Sequence, residues 1–365
     1  MYICCVETFN PNDPMAYAAA SATPAPPPHG WADVLGGLWQ ELELRATPLI
    51  NTPWADLNAA TGGLRGLGIL GARPGAGKSA LAAQLSAASA IGGVPALYIS
   101  TEMHTWAVLE RVLRSQGPAH QPATLPMLQA VAAAVKSLLG DRLHIFQPSP
   151  GDLSAQINAA VDDVVAFHVD KPVWVVLDSL HGLAHGLAGG VDERAALIAA
   201  VEWARHIADR DEVGGVLALA HLNRESMKAG DADTTSFLGS SAIEYYADFT
   251  LVMKQYWNGR ELEVLKHYRP TQPPPKDPAR SPVRTLELHL NKNRYGRTLE
   301  VEAVYFADCN QFAPPTHAPA VGDRVYRLAD AAKAYAAAAD AAPPPPRRGK
   351  GKGKGDEVEF NEAPF

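Results

Sequence analysis

Residues 71–79 (GARPGAGKS) constrain this chain more than any other segment. A short aliphatic run at 68–70 leads into them and a stretch of small and apolar residues at 79–90 leads out, the pattern of a strand, a tight glycine-rich turn and a helix. Such a turn points successive backbone N–H groups inward on phosphate oxygens, while Lys78 supplies charge to the β/γ oxygens and the Ser79 hydroxyl offers a ligand for Mg²⁺. The cradle comprises Gly71, Ala72, Arg73, Pro74, Gly75, Ala76, Gly77, Lys78, Ser79 and Ala80, and the dipole of the following helix adds to its attraction for anions. Ala72 departs from the usual pattern, which opens with glycine at that position.

The loop sits in an alternation that sets the fold class. Short β-branched or aliphatic runs at 68–70, 96–99, 143–146, 173–177, 216–220 and 249–253 are separated by longer helical segments, the arrangement of parallel strands joined by crossover helices. Residues 285–291 and 298–306 flank Arg294-Tyr295-Gly296-Arg297 and read as an antiparallel hairpin. Prolines cluster at 15–29, 270–282 and 343–346, marking linkers or loops outside the pattern.

Charge and cysteine content narrow the classes further. The chain carries 32 Lys+Arg against 39 Asp+Glu, a net charge of −7, so any contact with nucleic acid has to come from a local patch. Cys4, Cys5 and Cys309 build neither a disulfide framework nor a four-thiolate zinc site, which fits a reducing, cytoplasmic setting. No run approaches the ~18–20 apolar residues of a membrane span, and the N-terminal MYICCVETFNPND lacks the basic-then-apolar order of an export signal.

Hydrolysis of a bound nucleotide needs a carboxylate on the metal side and a group to orient water. The run 173–178 (VWVVLD) ends in Asp178, which either holds the metal's water shell beside the phosphate loop or caps the loop that follows a core strand. Glu102 follows the strand at 96–99, on the edge where strand C-termini line a ligand crevice. It either takes a proton from the attacking water or is a solvated surface glutamate, and periodicity does not decide between the two.

Taken in order, GARPGAGKS, YISTEM, VVLDSL, LALAHLNR, SSAIEYYAD and NKNRYG resemble the motor domain of the bacterial replicative helicase DnaB and its phage relatives. The last segment is also similar to the KNRFG signature of the RadA/Sms branch-migration helicase. Both belong to the RecA-like ATPases, and the resemblance covers about residues 49–306. It implies an α/β fold: a RecA-like P-loop ATPase core with a mostly parallel central sheet, flanking helices and a C-terminal antiparallel hairpin, using ATP and Mg²⁺. Under it Lys78 binds phosphate, Ser79 and Asp178 hold the metal, and Glu102 is the catalytic glutamate of the S-x-E-M motif. His221 stands where the helicases usually carry the glutamine that senses the γ-phosphate, and imidazole can donate the same hydrogen bond. The alternative is a core or loop histidine.

Lys292 and Arg294 lie two apart at the end of a strand and so point the same way. Alone they read as a basic hairpin tip in solvent; the resemblance implies instead that they reach a neighbouring subunit's γ-phosphate, an arginine donated in trans. It also places single-stranded DNA on residues 224–241, where Arg224, Lys228, Ser240 and Ser241 offer non-specific phosphate contacts. Leu238 and Gly239 replace the Arg and Glu of DnaB there, and Asp231 and Asp233 add negative charge. The implied function is an ATP-driven translocase or helicase of DNA replication, of phage, plasmid or accessory type, acting as a homo-oligomeric, hexameric ring. The alternative is a switch of the KaiC or helicase-loader kind, in which ATP state controls assembly without movement. A metabolite kinase has no use for YISTEM or KNRYG.

The organisation expected is a disordered Ala/Pro-rich segment at 1–30, a helix at 31–48, the ATPase domain at 49–312 with a Pro-rich loop at 270–284, an Ala-rich segment at 313–342 and a disordered tail at 343–365. The helix carries Trp31, Val34, Leu35, Leu38 and Leu42 on one face, to pack either on an adjacent subunit or on its own core. Without the helical collar of DnaB, or the four-cysteine finger and protease-like domain of RadA, a nearly bare motor is expected. The tail is basic at 347–354 and acidic at 356–365; its Pro-Phe end resembles the partner-recruiting tip of bacterial single-stranded-DNA-binding proteins, which would bring in replication partners, and a charged solubilising tail is the other reading.

Overall fold

Strands that are apolar at nearly every position belong in the middle of a sheet covered on both faces, and the aliphatic runs of this chain lie there. The computed structural model describes residues 35, 38–39, 42–43, 47–117, 124–187, 192–222, 240–256 and 281–315. The chain divides into two units, Met1–Thr47 and Pro48–Phe365. In the first, Leu35, Leu38, Trp39, Leu42 and Glu43 are helical, and Leu38, Trp39 and Leu42 are exposed. Residues 1–30, most of the helix expected at 31–48, Arg224, Lys228, the Pro-rich loop up to 280 and all residues beyond 315 lie outside the described residues.

The second unit is built on β1 (Gly66–Ala72), β2 (Ala96–Ser100), β3 (Leu143–Phe146), β4 (Val173–Asp178), β5 (Val213–His221), β6 (Phe249–Tyr256), β7 (Val283–Asn293), β8 (Leu299–Phe306) and β9 (Gln311–Ala313). They form one sheet in the order β3-β2-β4-β5-β1-β6-β7-β8-β9. The pairings from β3 to β6 are parallel, and those from β6 to β9 antiparallel. The described helices are α1 (Ala55–Thr61), α2 (Lys78–Ile91), α3 (Thr105–Gln116), α4 (Leu125–Leu139), α5 (Leu153–Phe167), α6 (Leu180–Leu187), α7 (Glu193–Ala208) and α8 (Ser240–Tyr246). Ser240 and Ser241 thus open α8. None of these helices is long and apolar enough to cross a membrane.

All six expected parallel strands are present. The expected hairpin is also present, as the β7–β8 part of a longer meander, because β6 pairs antiparallel with β7 and the three-residue β9 adds to β8. A strand that short carries no periodicity to read.

Alternate residues of the central strands feed two cores. Leu70, Tyr98, Trp174, Val176 and Leu217 face Leu81, Val108, Val112 and Val131 of α2, α3 and α4. Leu67, Ile69, Leu97, Ile99 and Val175 face Ile157, Val161, Leu183, Ala200 and Val201 of α5, α6 and α7. Each large aliphatic side chain so buried contributes about 1.5–3 kcal/mol. Ala80, Ala82, Ala83, Ala87 and Ala90 of α2 are buried and let this helix lie close to the sheet.

Strand direction places the site. The C-terminal ends of β1, β2, β4 and β5 share one edge, with Ser100 opposite Asp178 and Ala72 opposite His221. β7 runs the other way: its Asn293 pairs with Phe249, which pairs with Gly68 near the start of β1. Lys292 and Arg294 therefore lie toward the opposite edge.

One side chain fastens the end of the sheet to the helix behind the phosphate loop. Gln84 of α2 donates to the Phe312 carbonyl at 2.9 Å and accepts from the Phe312 N–H at 2.6 Å. Gln84→Ala leaves both buried backbone groups unpaired and should lower stability by about 1–3 kcal/mol; a calorimetric melting midpoint equal to that of the parent protein would contradict this anchor.

Candidate nucleotide site

The phosphate loop is held open by its own glycines and closed from behind by β8 and β9. Gly75 (φ +77°) and Gly77 (φ +102°) adopt left-handed backbone that a side chain disfavours. A Cβ at Gly77 would lie 2.8 Å from the Phe312 ring and 3.2 Å from that of Tyr305, whereas one at Gly75 would meet nothing within 4 Å. The loop is thus packed on one side and accessible on the other. Gly77 precedes α2 without a side-chain cap, which leaves the first N–H groups of that helix to an anion.

Lys78 and Asp178 are 8% and 3% exposed. Lys78 Nζ donates to the Ala72 carbonyl at 3.1 Å. Burial draws its ammonium below the ordinary lysine value, against Asp178 and Glu102, which favour the charge. Asp178 accepts from the Tyr98 hydroxyl at 2.5 Å; burial raises its carboxyl, while the Tyr98 and Ser79 hydroxyls pull it down. A buried ammonium and a buried carboxylate, each displaced by loss of water, are the two charges that a polyphosphate and a divalent cation would complement. The residues present therefore fit a nucleotide with Mg²⁺, with Lys78 toward phosphate and Ser79 and Asp178 toward the ion.

Glu102 is fixed by the loop after β2. Ser100 Oγ donates to the Met103 carbonyl at 2.7 Å and accepts from the Met103 N–H at 2.9 Å, closing a tight turn around the glutamate. The Ser179 hydroxyl donates to Glu102, and the Thr101 N–H donates to the Asp178 carbonyl at 2.7 Å, so the ends of β2 and β4 are tied together. His221 Nε2 lies 3.7 Å from Glu102 Oε1. The His221 ring, then Ser179 and Lys78, hold the Glu102 carboxyl down at about 2 against the effect of burial, so it stays ionised at neutral pH.

Behind His221 stands His181, on α6. Its Nδ1 accepts from the His221 N–H at 3.5 Å and the two rings meet edge to face at 4.8 Å. His181 Nε2 is buried without a partner among the described residues, and burial lowers this imidazole to about 4.

Lys78, Glu102, Asp178 and His221 are thus brought to one edge of the sheet, whereas Lys292 and Arg294 are not. From Gly66 to Ala72, β1 spans about 20 Å, which sets Lys292 and Arg294 that far from the chain's own phosphate loop. Lys292 Nζ donates to the Glu244 carbonyl and Arg294 Nη2 to the Tyr245 carbonyl, both at the end of α8. At the other end of β7, Arg284 donates to the Gly75 carbonyl at 3.0 Å and lies over the Tyr305 ring at 5.8 Å. Sequence reasoning missed Tyr98, Ser179, His181, Arg284 and Tyr305. Ser179 and His181 directly follow the Asp178 motif and were open to detection; Tyr98 looks like any core aromatic, and Arg284 borders a proline-rich stretch.

A model of the DnaB-like helicase C-terminal domain matches residues 50–314. The chain belongs to that family. Among solved structures it is similar to an ATPase domain, with a TM-score of 0.61 at 16% identity over 79% of this chain and 99% of that one. It is also similar to a DnaB-like replicative helicase solved for its interactions with primase, with a TM-score of 0.60 at 17% identity over 82% of this chain and 70% of that one. No curated protein matches its sequence significantly. The expected RecA-like core is therefore present, and family membership makes this DnaB-like chain an NTPase of the replicative helicase type.

One further group of ligating side chains occurs among the described residues of this DnaB-like core, Glu287, His289 and Glu300 on β7 and β8. His289 Nε2 lies 2.7 Å from Glu287 and Nδ1 2.9 Å from Glu300. The two ring nitrogens face different carboxylates, so the group reads as a paired histidine.

The hold of His221 on Glu102 is measurable. In His221→Ala the Glu102 carboxyl should rise from about 2 toward its ordinary 4.5, so that it protonates earlier on acidification; carboxyl-detected NMR titration reads the change. An unmoved Glu102 would remove His221 as the cause.

Proposed function

We propose that this chain is an ATP-driven motor of the DnaB-like replicative helicase type, which moves on single-stranded DNA as a homo-oligomeric, hexameric ring. The observation that carries the reading is the separation of the two halves of the site. Lys78, Glu102, Asp178 and His221 converge on one edge of the sheet, and Lys292 and Arg294 stand toward the other. A side chain about 20 Å from its own phosphate loop can complete only a second copy's site. Exposed Leu38, Trp39 and Leu42 in the first unit offer apolar surface of the kind that self-association covers.

In this reading the phosphates lie in the cradle at 71–80, with Lys78 on the β/γ oxygens. Arg284 borders the loop at the Gly75 carbonyl, where a planar cation can stack on the base. Ser79 and Asp178 would hold Mg²⁺, which would supply positive charge against that developing on the phosphate oxygens. Glu102, ionised and aimed by Ser179 and His221, takes the proton of the attacking water. His221, at the end of β5, takes the part of the γ-phosphate sensor that relays hydrolysis to the DNA contacts. Arg224, Lys228, Ser240 and Ser241 remain the DNA-contact candidates.

The test is ATP turnover with and without single-stranded DNA, beside sizing with a non-hydrolysable analogue. Turnover should rise severalfold with DNA and fall in Lys228→Ala; turnover indifferent to DNA would favour the KaiC-like or loader-like switch. Glu102→Gln should bind ATP and hydrolyse it about 10²–10⁴-fold more slowly. Arg294→Ala should lose turnover by about 10³-fold or more with binding retained, and normal turnover in that variant would end the trans assignment.

A further inference from the structure

We infer that Asp248 is the positioning residue of the finger: it holds Arg294 in the pose from which that side chain reaches a second copy's nucleotide. The inference rests on the trans reading above. Asp248 lies between α8 and β6 and is 5% exposed. Its backbone carbonyl accepts from the Arg294 N–H at 2.8 Å, and its Oδ1 lies 3.6 Å from Arg294 Nη1. The other carboxylate oxygen, Oδ2, accepts from the Leu67 N–H at 2.8 Å and from Arg205 Nη1 at 2.7 Å. The carboxylate is therefore fixed by the backbone of β1, by α7 through Arg205 and by the tip of β7.

This arrangement does more than bury a charge. Arg205 alone satisfies Asp248 electrostatically and is itself braced by Asp209. Arg294, by contrast, is 46% exposed at its side chain, so one side of its guanidinium is held and the other is accessible. Asp248 engages Nη1 and the Tyr245 carbonyl takes Nη2; an arginine has five N–H donors, so others remain for a phosphate. The carbonyls of Glu244 and Tyr245 at the end of α8 favour the two cations there. Gly66 (φ +69°) starts β1 beneath the group, and a Cβ there would collide with both Asp248 and the Tyr295 hydroxyl. A long side chain that acts across a boundary is effective only for the fraction of time it is aimed, and a fixed carboxylate at its base raises that fraction.

The position of the group makes the inference testable. Asp248 lies toward the opposite edge from its own phosphate loop, so its loss should be felt in the neighbour's site. Asp248→Asn should lower kcat for ATP about tenfold or more with little change in KM. Turnover should return when it is mixed with Lys78→Ala, whose own site is dead but whose finger is intact, and Arg294→Ala mixed in the same way is the control. The double variant should be no slower than Arg294→Ala alone, because both changes act through one side chain. Rescue of Arg294→Ala without rescue of Asp248→Asn would overturn the role of Asp248 and leave the trans reading standing. Failure to rescue either would overturn both. If melting shows that Asp248→Asn does not fold, Asp248→Glu, which keeps the charge paired with Arg205, goes through the same mixing with the same expected and contrary outcomes.

Discussion

Everything functional in this protein depends on the direction of its strands. Four neighbouring parallel strands end at one edge, and at that edge the chain turns away from the sheet with its glycines, carboxylates and histidine gathered together. β7 is antiparallel, so the same sheet that gathers Lys78, Glu102, Asp178 and His221 carries Arg294 away from them. From Arg284 to Arg294 this strand extends about 30 Å. One end touches the molecule's own phosphate loop, and the other lies toward the opposite edge of the sheet, where the proposed trans role would use it. Ladder hydrogen bonds to β6 and β8 keep that separation fixed, whereas a loop would let it collapse.

Around the cradle, packing and charge act together. Phe312 and Tyr305 stack at 4.3 Å behind Gly77 and leave no room for a side chain there, while Gln84 keeps the strand that bears Phe312 on α2. The aromatic wall holds the loop in place, and burial strips water from Lys78 and Asp178. Both groups are thereby displaced from their ordinary values; a polyphosphate would favour the charge of Lys78 and a divalent cation that of Asp178. Glu102 is the counter-example: half-exposed, and kept anionic by His221, Ser179 and Lys78. The site thus combines two buried charges that a ligand would complement with one half-exposed carboxylate already held anionic, the combination that binding and proton transfer respectively require.

Much of the fold was legible because its signals are local. The phosphate loop, the six aliphatic runs and the basic pair at 292 and 294 each show in a few consecutive residues, and each sits where that pattern places it. The three residues of β9 were not legible, since nothing so short shows a period, and its place follows from side chains more than 200 positions away, at Gln84. Tyr98 illustrates the same limit. It is indistinguishable in sequence from the other apolar residues of β2, and only the pairing of Ser100 with Asp178 brings its hydroxyl onto the carboxylate.

The sequence by itself determined which chemistry is available: a glycine-rich turn before a small-residue helix, a carboxylate closing an apolar strand, a glutamate after another, and two cations spaced for one face. These depend on neighbours within a turn or a strand, where composition and conformation are coupled directly. Tertiary structure alone decided which groups share a space. Glu102 meets Ser179 and His221 only because the ends of β2, β4 and β5 are aligned, and Arg294 meets Asp248 only because β7 lies beside β6. Contacts between residues far apart in the chain are set by strand order and register, and neither is written in any single segment.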